Sequence, residues 1–116
     1  MKTLLPALFA LVVVSGCQAP PRTLYYWGNY PAVTYLAYTQ PDKFTPSVQV
    51  DKLLEDIHQA AAAQARVNPG LHAHLGYLYA QLGQTDLARK EFEAEKELFP
   101  ESAPFIDHLL NPGKKL

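Results

Sequence analysis

Apolar side chains between residues 47 and 110 recur three or four positions apart, and this spacing limits the fold more than any other feature. It places apolar residues on one face of an α-helix, whereas a half-buried strand would alternate at every second residue. Asn68-Pro69-Gly70, Gly83 and Pro100 interrupt the pattern, as helix-ending residues do. The sequence therefore predicts separate helices over residues 48–67, 70–82, 85–98 and 102–110.

Each predicted helix has an apolar stripe that we expect to face the core. The first helix has Ser47 or Asp51 as a candidate cap, and the last has Ser102. The predicted inward residues are Val50, Leu53, Leu54, Ile57, Ala61 and Ala65 on the first helix, Leu71, Leu75, Leu78, Tyr79 and Leu82 on the second, Leu87, Ala88, Phe92 and Leu98 on the third, and Phe105, Ile106, Leu109 and Leu110 on the fourth.

Residues 69–102 resemble one unit of the tetratricopeptide repeat, a helix-turn-helix of about 34 residues. Small residues stand where two antiparallel helices approach each other, and aromatic rings stand where they fill the space between them. Two positions depart from the pattern: His72 stands where Trp or Leu is usual, and Glu95 where a third small residue is usual. The matching residues are Leu75, Gly76, Tyr79, Ala88, Phe92 and Pro100.

A single repeat unit cannot bury both of its faces, so neighbouring helices are required. The helix over residues 48–67 resembles the second helix of a degenerate preceding unit, because Ile57 and Ala61 precede Pro69 at the spacing by which Ala88 and Phe92 precede Pro100. We therefore expect an all-α domain of tetratricopeptide-like helix-turn-helix hairpins, about 1.5–2 repeats, with a C-terminal capping helix.

Residues 25–47 form a different kind of segment, rich in aromatic rings and proline. Pro31 can open a short helix that Pro41 closes, although Val33-Thr34-Tyr35 would also suit a strand. We predict the helix, over residues 31–39. The rings either complete the core of the domain or remain exposed as a binding surface or membrane-interface anchors. They are Tyr25, Tyr26, Trp27, Tyr30, Tyr35, Tyr38 and Phe44.

Residues 1–16 have the pattern of an export signal: Lys2, then an apolar stretch over Leu4–Val14, then Ser15-Gly16. The stretch is too short to span a bilayer. With Cys17 next in the chain, it resembles a bacterial lipobox, which implies lipidation of Cys17, and Gln18 after it implies the outer membrane. We predict a signal peptide (1–16), a lipidated N-terminus and tether (17–24), the aromatic segment (25–47), the helical domain (48–110) and a flexible tail (111–116).

Three further stretches resemble a whole family of short bacterial lipoproteins defined by a domain of unknown function. They are LYYWGNY at residues 24–30, LHAHLGYLYAQL at 71–82 and EKELFPESAPF at 95–105. The resemblance implies an envelope lipoprotein, with a curli-channel-like lipoprotein as a possible partner, because genes of the family tend to lie beside one for such a protein. It implies no catalytic residue.

The chemistry of the chain favours binding over catalysis. Ser47 and Ser102 are the serines that follow Cys17, and no nucleophile motif or phosphate-binding loop is present. His72 and His74 point about 200° apart on a helix, so they cannot chelate one ion. Asp51, Glu55 and Asp56 are interpreted as residues that favour the start of a helix. We expect no enzyme activity, no cofactor and no metal site.

Without residues 1–16 the chain has nine Lys and Arg against eleven Asp and Glu, because Lys2 is removed. A net charge of −2 without a basic patch argues against nucleic-acid binding. We expect a non-enzymatic adaptor in the outer membrane, facing the periplasm, that binds envelope proteins during assembly of a surface or secretion complex. The alternatives are a structural spacer or homo-oligomer subunit whose groove is filled by residues 25–38, or a modulator of a cell-wall enzyme. The predicted contacts are Tyr25, Tyr26, Trp27, Tyr30, Tyr77, Gln81, Arg89 and Lys96.

Overall fold

The computed structural model describes residues 23–113, which fold into helices joined by turns and loops. The elements are α1 (Tyr30–Thr39), α2 (Pro46–Ala62), α3 (Leu71–Gln81), α4 (Thr85–Leu98), a short 3-10 turn (Pro100–Ser102) and α5 (Ala103–Leu110). The β pairing in this part of the chain is an isolated parallel bridge between Tyr26 and Val67. The predicted all-α class is confirmed. The predicted signal peptide, Cys17, residues 18–22 of the tether and residues 114–116 of the tail lie outside the described residues.

The α3–α4 hairpin forms the centre of the domain, and the repeat pattern explains how closely its helices pack. A Cβ atom added at Gly76 would lie 2.7 Å from the ring of Phe92, so a larger residue there would require the ring or the helices to shift. Leu75, Tyr79 and Ala88 are buried around this contact. Leu82, Leu87 and Leu98, which were expected to face the core, are instead partly exposed.

Helix α2 ends five residues before its predicted end, at Ala62 rather than at Val67. The N–H of Gln64 donates to the carbonyl of Ala61 (3.1 Å) and that of Ala65 to the carbonyl of Ala60 (2.9 Å), the two bonds of a Schellman motif. Gln64 occupies the left-handed position of this motif, with φ of 52°. Glycine is the usual residue there, so the sequence contained no strong stop signal at position 64.

The early end of α2 changes which residues form the core. Ala65 lies beyond the helix, and Leu54 and Ala61 face solvent, contrary to the predicted stripe. Ala60 is buried instead, together with Val50 and Leu53. After the Schellman motif the chain becomes extended, and the carbonyl of Arg66 accepts a hydrogen bond from the N–H of Tyr26 (2.7 Å).

Helices α1 and α5 are the first and last helices of the domain. α1 confirms the predicted short helix, with Pro31 in its first turn, where proline fits. α5 begins at Ala103, and Ser102 does not cap it, because its Oγ donates to the carbonyl of Phe99 (2.7 Å). On α5, Ile106 is buried, whereas the predicted core residues Phe105 and Leu109 are exposed. Among the described residues, no helix has the length and apolar character required to cross a bilayer.

Candidate functional site

A groove lies between the start of α1, one face of α3 and the outer face of α5. Its volume is about 460 Å³. We call it the α1–α3–α5 groove; it is lined by Tyr30, Gly70, Ala73, His74, Tyr77, Phe105 and Leu109. On α3, Tyr77 follows Ala73 by four positions and His74 by three, so these residues lie on one face of that helix. Tyr77 and Phe105 keep 55% and 61% of their surface exposed, so apolar aromatic surface is open to a partner.

Within residues 23–113, no Asp, Glu, Lys or Arg lines the groove. Tyr30 and His74 meet edge to face, with their ring centroids 5.8 Å apart. Burial lowers the pKa of His74, which favours the neutral imidazole. Burial, and secondarily the nearby charge of Glu95, raises the pKa of Tyr30, which favours the neutral phenol. The groove therefore offers aromatic surface and uncharged hydrogen-bonding groups.

Glu95 explains one departure from the repeat pattern. It lies on α4, it is 3% exposed, and its Oε1 accepts a hydrogen bond from the N–H of Gly70 (2.7 Å). Its Oε2 accepts from the N–H of Ala73 (3.2 Å). A carboxylate in this position satisfies free N–H groups of α3 and interacts favourably with the positive end of the helix dipole. Glu95 thus holds the groove-lining end of α3 against α4.

His72 explains the other departure. Its Nδ1 lies 2.6 Å from Oε2 of Glu91 on α4, and both side chains are largely buried. His72 lies on a different face of α3 from His74, whose ring contacts Tyr30. The two histidines therefore have separate partners, and no group of three or more His, Cys, Asp or Glu side chains within residues 23–113 is arranged to bind a metal ion.

The aromatic segment is attached to α2 by a polar contact that the sequence interpretation missed. Oδ1 of Asp56 accepts hydrogen bonds from both the backbone N–H and Nδ2 of Asn29, each 2.8 Å long. Gly28 has φ of +43°, and a Cβ atom there would overlap the Asp56 carboxylate. Asp56 is fully buried in the middle of α2. The interpretation of Asp56 as a helix-start residue is therefore wrong.

A second cleft lies on the other side of α3, between the ends of α2 and α4. We call it the α2–α4 cavity; its volume is about 290 Å³. Its lining is mostly apolar and includes Ala61, Ala65, Arg66 and Phe99. The ring of Tyr25 packs edge-on against Phe99, with centroids 5.8 Å apart, and the guanidinium of Arg66 lies 5.5 Å from the Tyr25 ring centroid. Tyr25, near the beginning of the described chain, therefore contacts two residues that line this cavity.

The predicted contact residues occupy different places. Tyr30 and Tyr77 line the α1–α3–α5 groove. Trp27 packs on Tyr30, with centroids 6.3 Å apart, but does not line the groove. Tyr26 packs against the core, and Tyr25 packs against Phe99, which lines the α2–α4 cavity.

The remaining three predicted contacts lie outside the groove. Gln81 is exposed at the end of α3, and Arg89 lines a smaller cleft of about 190 Å³ between α4 and α5. Lys96 lies 2.7 Å from Asp107 on α5 and 3.2 Å from Glu93. The pKa of Lys96 is raised mainly by its hydrogen bond to Asp107 and, to a smaller extent, by its hydrogen bond to Glu93. The ion pair between Lys96 and Asp107 thus connects α4 to α5.

Phe105 and Leu109 line the groove, but the sequence interpretation had placed them in the core. A signal for them was present, because Phe105 and Leu109 lie four residues apart, as do Ile106 and Leu110. Four apolar residues in this arrangement cover two adjacent strips of a short helix, and one packed face cannot bury both. The Ile106 strip packs inward, which leaves the Phe105 strip on the groove.

Comparisons with known proteins support a relationship to a family defined by a domain of unknown function. No match was found among curated proteins or among solved structures. A family model described as a domain of unknown function, DUF4810, matches residues 24–109, which begin with the aromatic segment and extend almost to the end of α5. The chain belongs to the DUF4810 family.

Proposed function

We propose that this protein is a lipid-anchored adaptor of the outer membrane that binds an envelope protein in the α1–α3–α5 groove, without catalysing a reaction. The observation that carries the proposal is the open apolar groove, with Tyr77 and Phe105 exposed on two helices that line it. Aromatic side chains on a concave surface are typical anchor sites for the side chains of a protein partner.

The character of the lining supports an apolar segment as the bound part of the partner. Because the described part of the lining contains no charged group, binding depends on burial of apolar surface, supplemented by hydrogen bonds to Tyr30, His74 and Tyr77. A partner of the curli-channel-like lipoprotein class would lie in the same membrane. Two proteins confined to one membrane meet at a high effective concentration, so a small groove suffices for binding.

The spacer alternative has less support. It requires rings from residues 25–38 to fill the groove. Tyr30 forms one wall, but Trp27 lies outside the lining, and the Tyr35 and Tyr38 side chains are exposed without lining it. The space between Tyr30, Tyr77 and Phe105 therefore remains available to another molecule.

The membrane anchor is tested by metabolic labelling with a clickable fatty acid. We expect the wild-type protein to become labelled and the Cys17→Ala variant to lose the label, because the thioether at Cys17 is the proposed attachment point. Thr23→Ala, which leaves Cys17 unchanged, is the matched control and should remain labelled. Equal labelling of the wild type and Cys17→Ala would contradict the anchor.

The groove is tested with a photoreactive phenylalanine analogue placed at Tyr77 in cells. We expect one discrete crosslinked protein, and we expect Phe105→Glu to abolish it, because a charge beside Tyr77 opposes burial of an apolar partner. The analogue at Lys90, an exposed position on α4, is the control and should give no such product. Identical products at Tyr77 and Lys90, or products insensitive to Phe105→Glu, would contradict the adaptor function.

A further inference from the structure

We propose that the proline-containing segment Ala19-Pro20-Pro21 of the same chain docks in the α2–α4 cavity and so orients the domain on its anchor. The proposal rests on the proposed function only for the acyl group on Cys17. The docking itself follows from where the chain enters the domain and from the chemistry of the cavity.

The point of entry is the first argument. Tyr25 contacts Phe99 and Arg66, which both line the cavity. Pro21 precedes Tyr25 by four residues, which span at most about 14 Å of extended chain. The described chain is therefore joined to the segment before Thr23 within a few residues of a contact with the cavity lining. The groove on the other face of α3 is lined by Tyr30, nine residues beyond Pro21.

The match in chemistry is the second argument. Apolar side chains such as Ala61, Ala65 and Phe99 surround a space of about 290 Å³, roughly ten times the volume of a liquid water molecule at about 30 Å³. Ala19, Pro20 and Pro21 offer apolar surface without a side-chain donor or acceptor. Two consecutive prolines favour the extended polyproline II conformation, so little conformational entropy is lost when such a segment binds beside aromatic rings.

Docking would determine the orientation of the domain. Pro20 follows Cys17 by three residues, about 10 Å of extended chain, so the cavity would lie close to the acyl group. His72 lines the cavity, whereas Ala73, His74 and Tyr77 line the groove from another face of α3. The groove would therefore face away from the docked tether and stay accessible to a partner.

The test is disulfide trapping in the full-length protein, in cells and after extraction in detergent. Pro21→Cys is combined with Ala65→Cys or Ala61→Cys, two exposed alanines that line the cavity. The control combines Pro21→Cys with Glu101→Cys, an exposed position outside the cavity lining that lies two residues from Phe99. Ala65 lies one residue from Arg66, so test and control positions are both close to a residue that contacts Tyr25.

We expect at least fivefold faster intramolecular disulfide formation for the 21–65 or 21–61 pair than for the 21–101 pair, measured by protection from maleimide labelling. Replacing Pro20 with Gly should reduce this ratio. Equal rates for all pairs would overturn the proposal, and so would disulfide-linked dimers, which would indicate a segment from a second copy. Maleimide labelling of the parent protein tests Cys17 separately. If its thiol is free, the anchor fails, and docking is then measured in a Cys17→Ser background.

Discussion

Oε1 of Glu95 accepts a 2.7 Å hydrogen bond from the backbone N–H of Gly70, 25 positions earlier in the chain. The repeat pattern favours a small residue at position 95, yet here a buried carboxylate joins the end of α4 to the start of α3. It thereby holds the end of α3 that lines the groove.

Glu95→Ala should therefore destabilise the domain, although alanine restores the residue type of the repeat pattern. Two hydrogen bonds to a charged group are lost and two N–H groups lose their acceptor, so we expect a loss of about 2–3 kcal/mol in the free energy of unfolding. Urea denaturation followed by circular dichroism measures it. Glu97→Ala, at an exposed position on the same helix, should change stability little. Equal effects of the two variants would disprove the capping role.

Gly76→Ala should also destabilise the protein, despite the higher helix propensity of alanine. The added Cβ atom would lie 2.7 Å from the Phe92 ring, and we expect the overpacking to cost about 1–3 kcal/mol. Gly113→Ala is the control, because a Cβ atom there meets no atom within 4 Å. A melting temperature for Gly76→Ala at or above that of the wild type would contradict the prediction, because it would show that α3 and α4 can move apart at this contact without a loss of stability.

Asn29→Ala should loosen the aromatic segment from α2. The variant removes the side-chain donor to the buried Asp56 carboxylate, a loss that we expect to cost about 1.5–3 kcal/mol. Because Trp27 lies two residues away, its fluorescence emission should shift to longer wavelength as its environment becomes more polar. Asn111→Ala, at an exposed position after α5, should alter neither property. An unchanged spectrum and unchanged stability would mean that Asp56 does not hold this segment.

His74 should make the protein less stable at acidic pH. Its pKa is lowered in the folded state by burial, so below about pH 6.5 the unfolded chain binds a proton more readily than the folded protein. Stability is thus lost as the pH falls through 6.5, and the loss levels off below the folded-state pKa. We expect His74→Gln to lose less unfolding free energy than the wild type between pH 7.5 and pH 5. Parallel pH profiles would exclude this contribution.

Much of the helical architecture was predictable because its signals are local. The spacing of Leu71, Leu75 and Leu78 predicts α3, and the repeat pattern explains the contact between Gly76 and Phe92. The end of α2 was not predictable in this way. A Schellman motif with Gln64 in the left-handed position lacks the glycine that usually marks it, and the pairing of Tyr26 with the chain after α2 joins distant residues.

By itself, the sequence determined the number and type of the helices and the close hairpin at their centre, since spacing, helix-ending residues and side-chain volume act over a few positions. Only the tertiary structure decided the roles of Asp56, Glu95 and Phe105. A carboxylate that anchors a segment or caps a helix has the same local signature as one in solvent, and an apolar residue on a short helix has the same signature in a core and on a groove. The difference arises from partners more than ten or twenty residues away, which meet these side chains only after the chain has folded.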